Sequence, residues 1–119
     1  RLMSALQLNE FTGSMYFTRW SPITKSVLTE GALYVAETAG AYWLFDSIQS
    51  YVDQHQADWA QTTMVVHDDD SATLTMTNGN DDPLSEWKIP FTDFPEPEIK
   101  IWSVRNELNA HTHMLPSEY

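Results

Sequence analysis

Apolar residues recur at intervals of three and four across residues 28–56, which is the spacing of an amphipathic helix. Two successive runs carry this pattern: Leu28, Ala32, Val35, Ala36 and Ala39, then Ala41, Leu44, Phe45, Ile48 and Val52. Thr29 is suited to cap the first helix, because a threonine oxygen accepts a hydrogen bond from an N–H of the first turn. The second run predicts the clearest helix of the chain, which ends near Gln56.

Gly40 separates the two runs and lies in the stretch Ala39-Gly40-Ala41, just before four bulky residues at 42–45. A glycine inside a helix costs about 1 kcal/mol relative to alanine, so it either breaks the helix or permits a close approach of another backbone. We interpret the stretch as a place of close helix packing. A further short helix is predicted over Ala5–Phe11, and Met15–Trp20 is predicted to be a short strand or an extended segment.

After Trp59 the pattern changes to the alternation that is typical of strands. Predicted strands span 62–67, 72–78, 85–91 and 98–104. Short connections favour an antiparallel meander, in which consecutive strands are neighbours. The predicted fold is therefore α+β, with N-terminal helices packed on a C-terminal antiparallel sheet of three to four strands, and residues 1–119 are predicted to form a single domain.

Charge adds an asymmetry that the hydrophobic pattern does not show. The net charge is −11, and all of the excess lies in residues 41–119, because acids and bases balance over residues 1–40. A negative field of this kind opposes binding to nucleic acid and to anionic membranes, and it favours basic protein partners. We therefore expect a basic protein as partner, with no direct nucleic-acid or membrane binding, and the oligomeric state stays open.

Composition narrows the chemistry further. The absence of cysteine removes disulfides, thiolate nucleophiles and thiolate zinc sites. No apolar run approaches the ~20 residues that a membrane-spanning helix needs, and no signal peptide opens the chain, so a cytoplasmic protein is expected. No cofactor is expected either. Arg1-Leu2 precede Met3, and whether they are native stays open.

The acidic residues of the predicted meander gather at one end of the sheet. Successive turns of a meander fall at alternate ends, so the turn after the first strand and the connector before the last strand share an end. The candidate partner-binding residues are Asp68, Asp69, Asp70, Asp93, Glu96 and Glu98. The turn that contains Asp81 and Asp82 falls at the opposite end.

A second candidate site surrounds the glycine turn and consists of Glu37, Tyr42, Trp43 and Asp46. A buried Glu37 would have a raised pKa unless a donor such as Tyr42 or Trp43 satisfied it. We expect a structural, hydrogen-bonded glutamate, and a ligand pocket or a general base is the alternative.

His111 and His113 would lie on one side of a strand, where they are weak candidates for a metal site. Zinc requires three or four ligands, so at least one further ligand would have to come from elsewhere in the chain. Two exposed histidines in a C-terminal tail are the expected interpretation.

Four short motifs resemble those of the DUF6876 family of small bacterial domains: FTGS at 11–14, AETAGAYWLFDSI at 36–48, TDFP at 92–95 and LPSEY at 115–119. The resemblance runs from Leu6 to Tyr119. It implies a protein encoded in bacterial genomes, plasmids or phages, with no established activity. The histidines at 111 and 113 do not belong to the family pattern.

Two functions follow from these observations. The first is a small, acidic, non-catalytic accessory protein that binds a basic or DNA-handling protein. The alternative is a small ligand-binding domain or enzyme with its site around Glu37, Trp43 and Asp46.

Overall fold

The computed structural model describes residues 16–119. The helices of this part are α1 (Glu30–Thr38) and α2 (Tyr42–His55), and a short 3-10 helix covers Pro116–Glu118. The strands are β1 (Phe17–Thr18), β2 (Val27–Thr29), β3 (Trp59–Val66), β4 (Ala72–Asn78), β5 (Pro83–Ile89), β6 (Glu98–Arg105) and β7 (His111–Met114). The helix expected over Ala5–Phe11 lies outside the described residues.

The strands form one seven-stranded mixed sheet in the order β1-β2-β7-β6-β3-β4-β5. The expected fold, helices on an antiparallel sheet of three to four strands, is therefore wrong. β2 and β7 pair in parallel, while the other neighbours are antiparallel. β1 lies within Met15–Trp20, which was predicted to be a short strand or an extended segment. The strands that were missed, β2 and β7, have three and four residues, which is too short for an alternating pattern to be recognised.

The expected meander continues only from β3 to β5. β6 pairs with β3 instead of β5, from Trp59 opposite Val104 to Val65 opposite Glu98. The connector after β5 therefore carries the chain back across the end of two strands. β3 then has a partner on both sides, which places it in the interior of the sheet.

One face of the sheet packs against the helices, and the other is partly exposed. A row of cross-strand neighbours on the covered face consists of Trp87, Leu74, Met64 and Ile99. The apolar stripe of α2 that the spacing predicted is buried against this face, with Leu44, Phe45, Ile48 and Val52 fully inaccessible. The prediction of α2 is confirmed, within one residue at each end.

Thr29 caps α1, as predicted, since its side-chain oxygen accepts a hydrogen bond from Ala32 N–H. A second cap comes from the C-terminal region. The carboxylate of Glu118 accepts hydrogen bonds from Gly31 N–H at 2.9 Å and from the Thr29 hydroxyl at 2.7 Å. A negative charge at this position is favourable, because the N-terminus of a helix carries a partial positive charge.

Close packing at a glycine occurs at Gly31 and not at Gly40. A Cβ atom at Gly31 would lie 2.5 Å from a Glu118 carboxylate oxygen and 2.8 Å from a Leu115 methyl group. Gly40 is exposed, nothing lies within 4 Å of its Cβ position, and its φ is +60°. The interpretation of Gly40 as a close helix contact is therefore wrong, and the residue serves the left-handed turn between α1 and α2.

Candidate functional site

The two C-terminal histidines lie inside the protein. His111 and His113 are both almost completely buried, because β7 is inserted between β2 and β6. The expectation of two exposed tail histidines is therefore wrong. Their rings stack on the helix-covered side of the strand, with centroids 6.3 Å apart.

Gln49 of α2 connects the two imidazoles. Its Oε1 lies 2.8 Å from His113 Nε2, and its Nε2 lies 3.3 Å from His111 Nδ1. Because the amide oxygen can only accept, His113 Nε2 carries the proton. The Gln49 amide nitrogen also donates to Asp53 Oδ1 at 2.9 Å.

The outer ends of this network fix the remaining protons. His111 Nε2 donates to the carbonyl oxygen of Ala57 at 2.7 Å, so His111 Nδ1 accepts from Gln49. The Ser103 hydroxyl donates to His113 Nδ1 at 2.7 Å. Both histidines are thus neutral Nε2–H tautomers, and the four ring nitrogens all have partners.

Electrostatics favours the same neutral state. Burial first, and the neighbouring His111 second, lower the pKa of His113 to about 3. Trp20 and Phe45 pack their rings against His113, with centroid distances of 5.5 and 6.1 Å. The imidazole therefore acts as a neutral hydrogen-bonding group inside an aromatic environment.

The order Ser103, His113, Gln49 resembles a nucleophile, a base and a residue that orients the base. Ser103 and His113 are both completely inaccessible, so no substrate can approach the hydroxyl. The network instead joins α2 to β6 and β7. Within residues 16–119 no group of three His, Asp or Glu side chains is arranged to hold a metal ion.

The four candidate residues around the glycine turn lie at or near the surface. Glu37 and Tyr42 are exposed, and Trp43 is half-buried against the core. The burial on which a raised pKa of Glu37 depended therefore does not occur. The pKa of Tyr42 is raised, first by partial desolvation and then by the charge of Glu37. Asp46 accepts a hydrogen bond from Trp20 Nε1 at 2.8 Å, which ties the segment after β1 to α2.

A concavity that the sequence did not indicate lies beyond the C-terminal end of α2. It has a volume of about 520 Å³, and the residues that line it are Val52, Asp53, Gln56, Asp58, Arg105 and Asn109. Arg105 Nε donates to Asp58 Oδ1 at 2.6 Å, and Arg105 Nη1 donates to Asn109 Oδ1 at 3.0 Å. The guanidinium thereby holds the β6–β7 turn against the loop before β3.

Two backbone hydrogen bonds bring the predicted acidic segments together at one end of the sheet. Thr92 N–H donates to Asp70 O at 2.8 Å, and Val66 N–H donates to Pro97 O at 2.8 Å. The turn after β3 and the connector before β6 therefore meet, as the strand directions required. The turn that contains Asp81 and Asp82 joins β4 to β5 at the opposite end.

Five of the six acidic candidates are exposed at this end: Asp68, Asp69, Asp70, Asp93 and Glu98. Glu96 differs, since it is only 8 % exposed and belongs to the packed part of the connector. Hydrogen bonds from the hydroxyl and the N–H of Ser71 lower the pKa of Asp69, which favours its charged form. Phe91 lies in the same connector and is 67 % exposed.

Within the described residues, neither helix has the length and apolar character that crossing a membrane would demand.

Among protein families, DUF6876, a family of unknown function, matches residues 3–119. The curated proteins give no match. Among solved structures, a protein of unknown function from Enterococcus faecalis is similar, with 17 % identity and a TM-score of 0.59 over 87 % of this chain and 98 % of that one. This likeness concerns the fold alone.

Proposed function

The chain belongs to the DUF6876 family of unknown function, and from that premise we propose that it is a small, acidic, non-catalytic protein that binds a basic surface of another protein. The binding surface comprises the five exposed carboxylates Asp68, Asp69, Asp70, Asp93 and Glu98 together with Phe91. We call it the acidic sheet end. The proposed setting is the cytoplasm, which agrees with the absence of cysteine.

The meeting of the β3–β4 turn and the β5–β6 connector carries the proposal. The hydrogen bond from Thr92 N–H to Asp70 O holds Phe91 beside three consecutive aspartates. An exposed aromatic side chain supplies apolar contact area, and a surrounding ring of charge supplies orientation, as in many protein interfaces. This combination favours a protein partner over a simple cation.

Charge at the acidic sheet end selects the chemistry of the partner. Like charges at this density repel one another, so an arginine- or lysine-rich surface relieves a cost when it binds. The effect extends about 8–10 Å at physiological ionic strength, which confines it to direct contact. Proteins that handle DNA expose basic surfaces of this kind, because those surfaces bind phosphate, and we propose such a protein as the partner class.

The test compares two double variants with the same change in net charge. Asp68→Lys with Asp93→Lys reverses charge within the acidic sheet end and leaves the hydrogen bonds of Asp69 to Ser71 in place, and Asp81→Lys with Asp82→Lys reverses it at the opposite end. Immobilised proteins capture partners from cell lysate at low salt, and each captured protein is then purified and titrated against both variants. We expect at least a tenfold loss of affinity for the first pair, a weaker salt dependence, and near-normal binding for the second.

Melting temperatures of both variants should match that of the unchanged protein, since all four positions are exposed. Equal losses for the two pairs would assign binding to net charge and overturn the proposed surface. Capture of no protein with a basic surface at low salt would overturn the proposed function. Phe91→Ala, which leaves the charge unchanged, should weaken binding without altering its salt dependence.

A further inference from the structure

β5 is an edge strand of the sheet that residues 16–119 form. It pairs with β4 on one side, from Ala72 opposite Ile89 to Met76 opposite Ser85, and it stands last in the strand order. Alternate N–H and C=O groups of an edge strand point away from the sheet and are available to a further strand. The occupant that this edge would accept is indicated by its side chains.

Two opposite charges lie on the partly exposed face of β5, two residues apart. Glu86 and Lys88 are both exposed, and their cross-strand neighbours in β4 are the uncharged Thr75 and Thr73. Between them, Trp87 points to the other face, where its ring stacks on Tyr51 with centroids 4.1 Å apart. A partner strand on the outer side would therefore meet one negative and one positive charge on one face.

We propose that the partner is a second copy of this chain, whose β5 pairs with the first in antiparallel orientation about a two-fold axis at Trp87. This inference rests on the sheet edge and is independent of the acidic sheet end. In this register Glu86 of each copy lies opposite Lys88 of the other, so one pairing forms two unlike-charge contacts. A two-fold axis makes the contact isologous and closed, which gives a dimer with a continuous sheet.

The charges also exclude the neighbouring registers. Moving the axis by one residue slips the pairing by two and places Glu86 opposite Glu86, or Lys88 opposite Lys88, and like charges directly opposite each other destabilise a strand pair. A slip of one residue would place side chains of the core face opposite side chains of the exposed face. Pro83 and Pro90 bound the segment, and proline has no N–H with which to extend the ladder.

Charge exchange tests this pairing directly. Sedimentation velocity over a range of concentrations, at ~0.15 M salt, measures the monomer–dimer equilibrium. We expect the unchanged chain to dimerise and Glu86→Lys and Lys88→Glu each to weaken the dimer at least tenfold. The double variant E86K/K88E should restore it, and an equimolar mixture of the two single variants should form a heterodimer.

Net charge offers an internal control. Glu86→Lys makes each chain less negative, so general repulsion between copies falls, yet the proposed register predicts dissociation. Lys100→Glu changes the charge on the same face of β6, an interior strand, and should affect the dimer far less than Lys88→Glu. Circular dichroism and melting temperatures verify that every variant is folded.

Cross-linking tests the register independently. The chain contains no cysteine, so Glu86→Cys and Lys88→Cys introduce single thiols. Opposite Cα atoms of an antiparallel pair are about 4.5–5.5 Å apart, which suits a disulfide. Mixing the two variants should give a disulfide-linked dimer, and neither alone should. The proposal is overturned if the unchanged chain stays monomeric at every concentration, or if its dimer is insensitive to both single charge changes.

Discussion

The two halves of the sheet contact α2 in different ways. Over β3, β4 and β5 the contact is mainly apolar, through Met64, Leu74 and the stack of Tyr51 on Trp87. One hydrogen bond, between His55 Nε2 and Ser85 Oγ at 2.7 Å, adds to it at the end of the helix. Over β6 and β7 the contact is polar, through Gln49 and its two histidines. The apolar half depends on filled volume and imposes no direction on its contacts, whereas the polar half requires each donor to face one acceptor. The difference shows how one helix can be fixed by apolar packing on one side and by directional hydrogen bonds on the other.

Removing volume from the apolar half should have the largest effect. Leu74→Ala leaves a cavity at a fully buried site, and such changes cost about 2–5 kcal/mol of unfolding free energy. Urea denaturation at neutral and at mildly acidic pH should give the same loss, because the cross-strand neighbours of Leu74, Met64 and Trp87, carry no acid–base group. The comparison variant is Thr75→Ala, one residue along on the partly exposed face. A loss as large for Thr75→Ala as for Leu74→Ala would contradict this account.

Removing the hydrogen bonds of Gln49 from the polar half should lower the free energy of unfolding by somewhat less. Gln49→Leu preserves the approximate volume but leaves His113 Nε2–H without its acceptor and His111 Nδ1 without its donor. An unsatisfied buried polar group costs about 1–3 kcal/mol, and we expect a loss of about 2–3 kcal/mol in urea denaturation. Gln54→Leu is the matched control, since Gln54 lies on the exposed side of the same helix. Equal stability of the two variants would remove the polar network as a determinant of the fold.

Acid should weaken the polar half selectively. The pKa of His113 falls from 6.5 to about 3 on folding. Below pH 6.5 this imidazole therefore binds a proton in the unfolded chain but stays neutral in the folded chain. Unfolded protein is thereby favoured as the pH falls, by about 1.4 kcal/mol per pH unit between pH 6 and 4. The contribution of neutral His113 to the free energy of unfolding is fully present above pH 6.5 and is lost on acidification towards pH 3.

The variant His113→Gln isolates this contribution, because it removes this imidazole and leaves every other titratable side chain in place. It should be less stable than the unchanged chain at pH 7.5, and its stability should decrease less steeply towards pH 5. Parallel stability curves for the two proteins would show that His113 does not carry the pH dependence.

Local signals predicted part of this architecture. The stripe of α2 and the Thr29 cap are properties of adjacent residues, and both are confirmed. The pairing of β6 with β3 and the insertion of β7 depend on contacts between residues far apart in the chain, which periodicity does not encode. The predicted strand order was wrong for that reason, whereas the number of strands was underestimated because β2 and β7 are too short to show an alternating pattern.

The candidate sites also differ in whether local patterns or contacts between distant residues determine them. Joining the acidic turn to the connector needed only strand directions, which the alternating pattern supplied. The Gln49 network needed the position of β7, and the contact between Gly31 and Glu118 spans 87 residues of chain. Gly31, a small residue in the first turn of α1, signals that something packs closely there. Nothing in the sequence indicates that the side chain that does so belongs to Glu118.

The insertion of β7 has a consequence for the order of folding. His111 N–H donates to Ser26 Oγ across 85 residues of chain, and β2 pairs in parallel beside it. Closing a loop of that length is entropically costly and is repaid only when the whole interface forms. The hairpin of β3 and β4 closes over a handful of residues and is suited to form early. We therefore expect β1 and β2 to take their place in the sheet only after β7 has done so, and folding to proceed from the middle of the sequence outward.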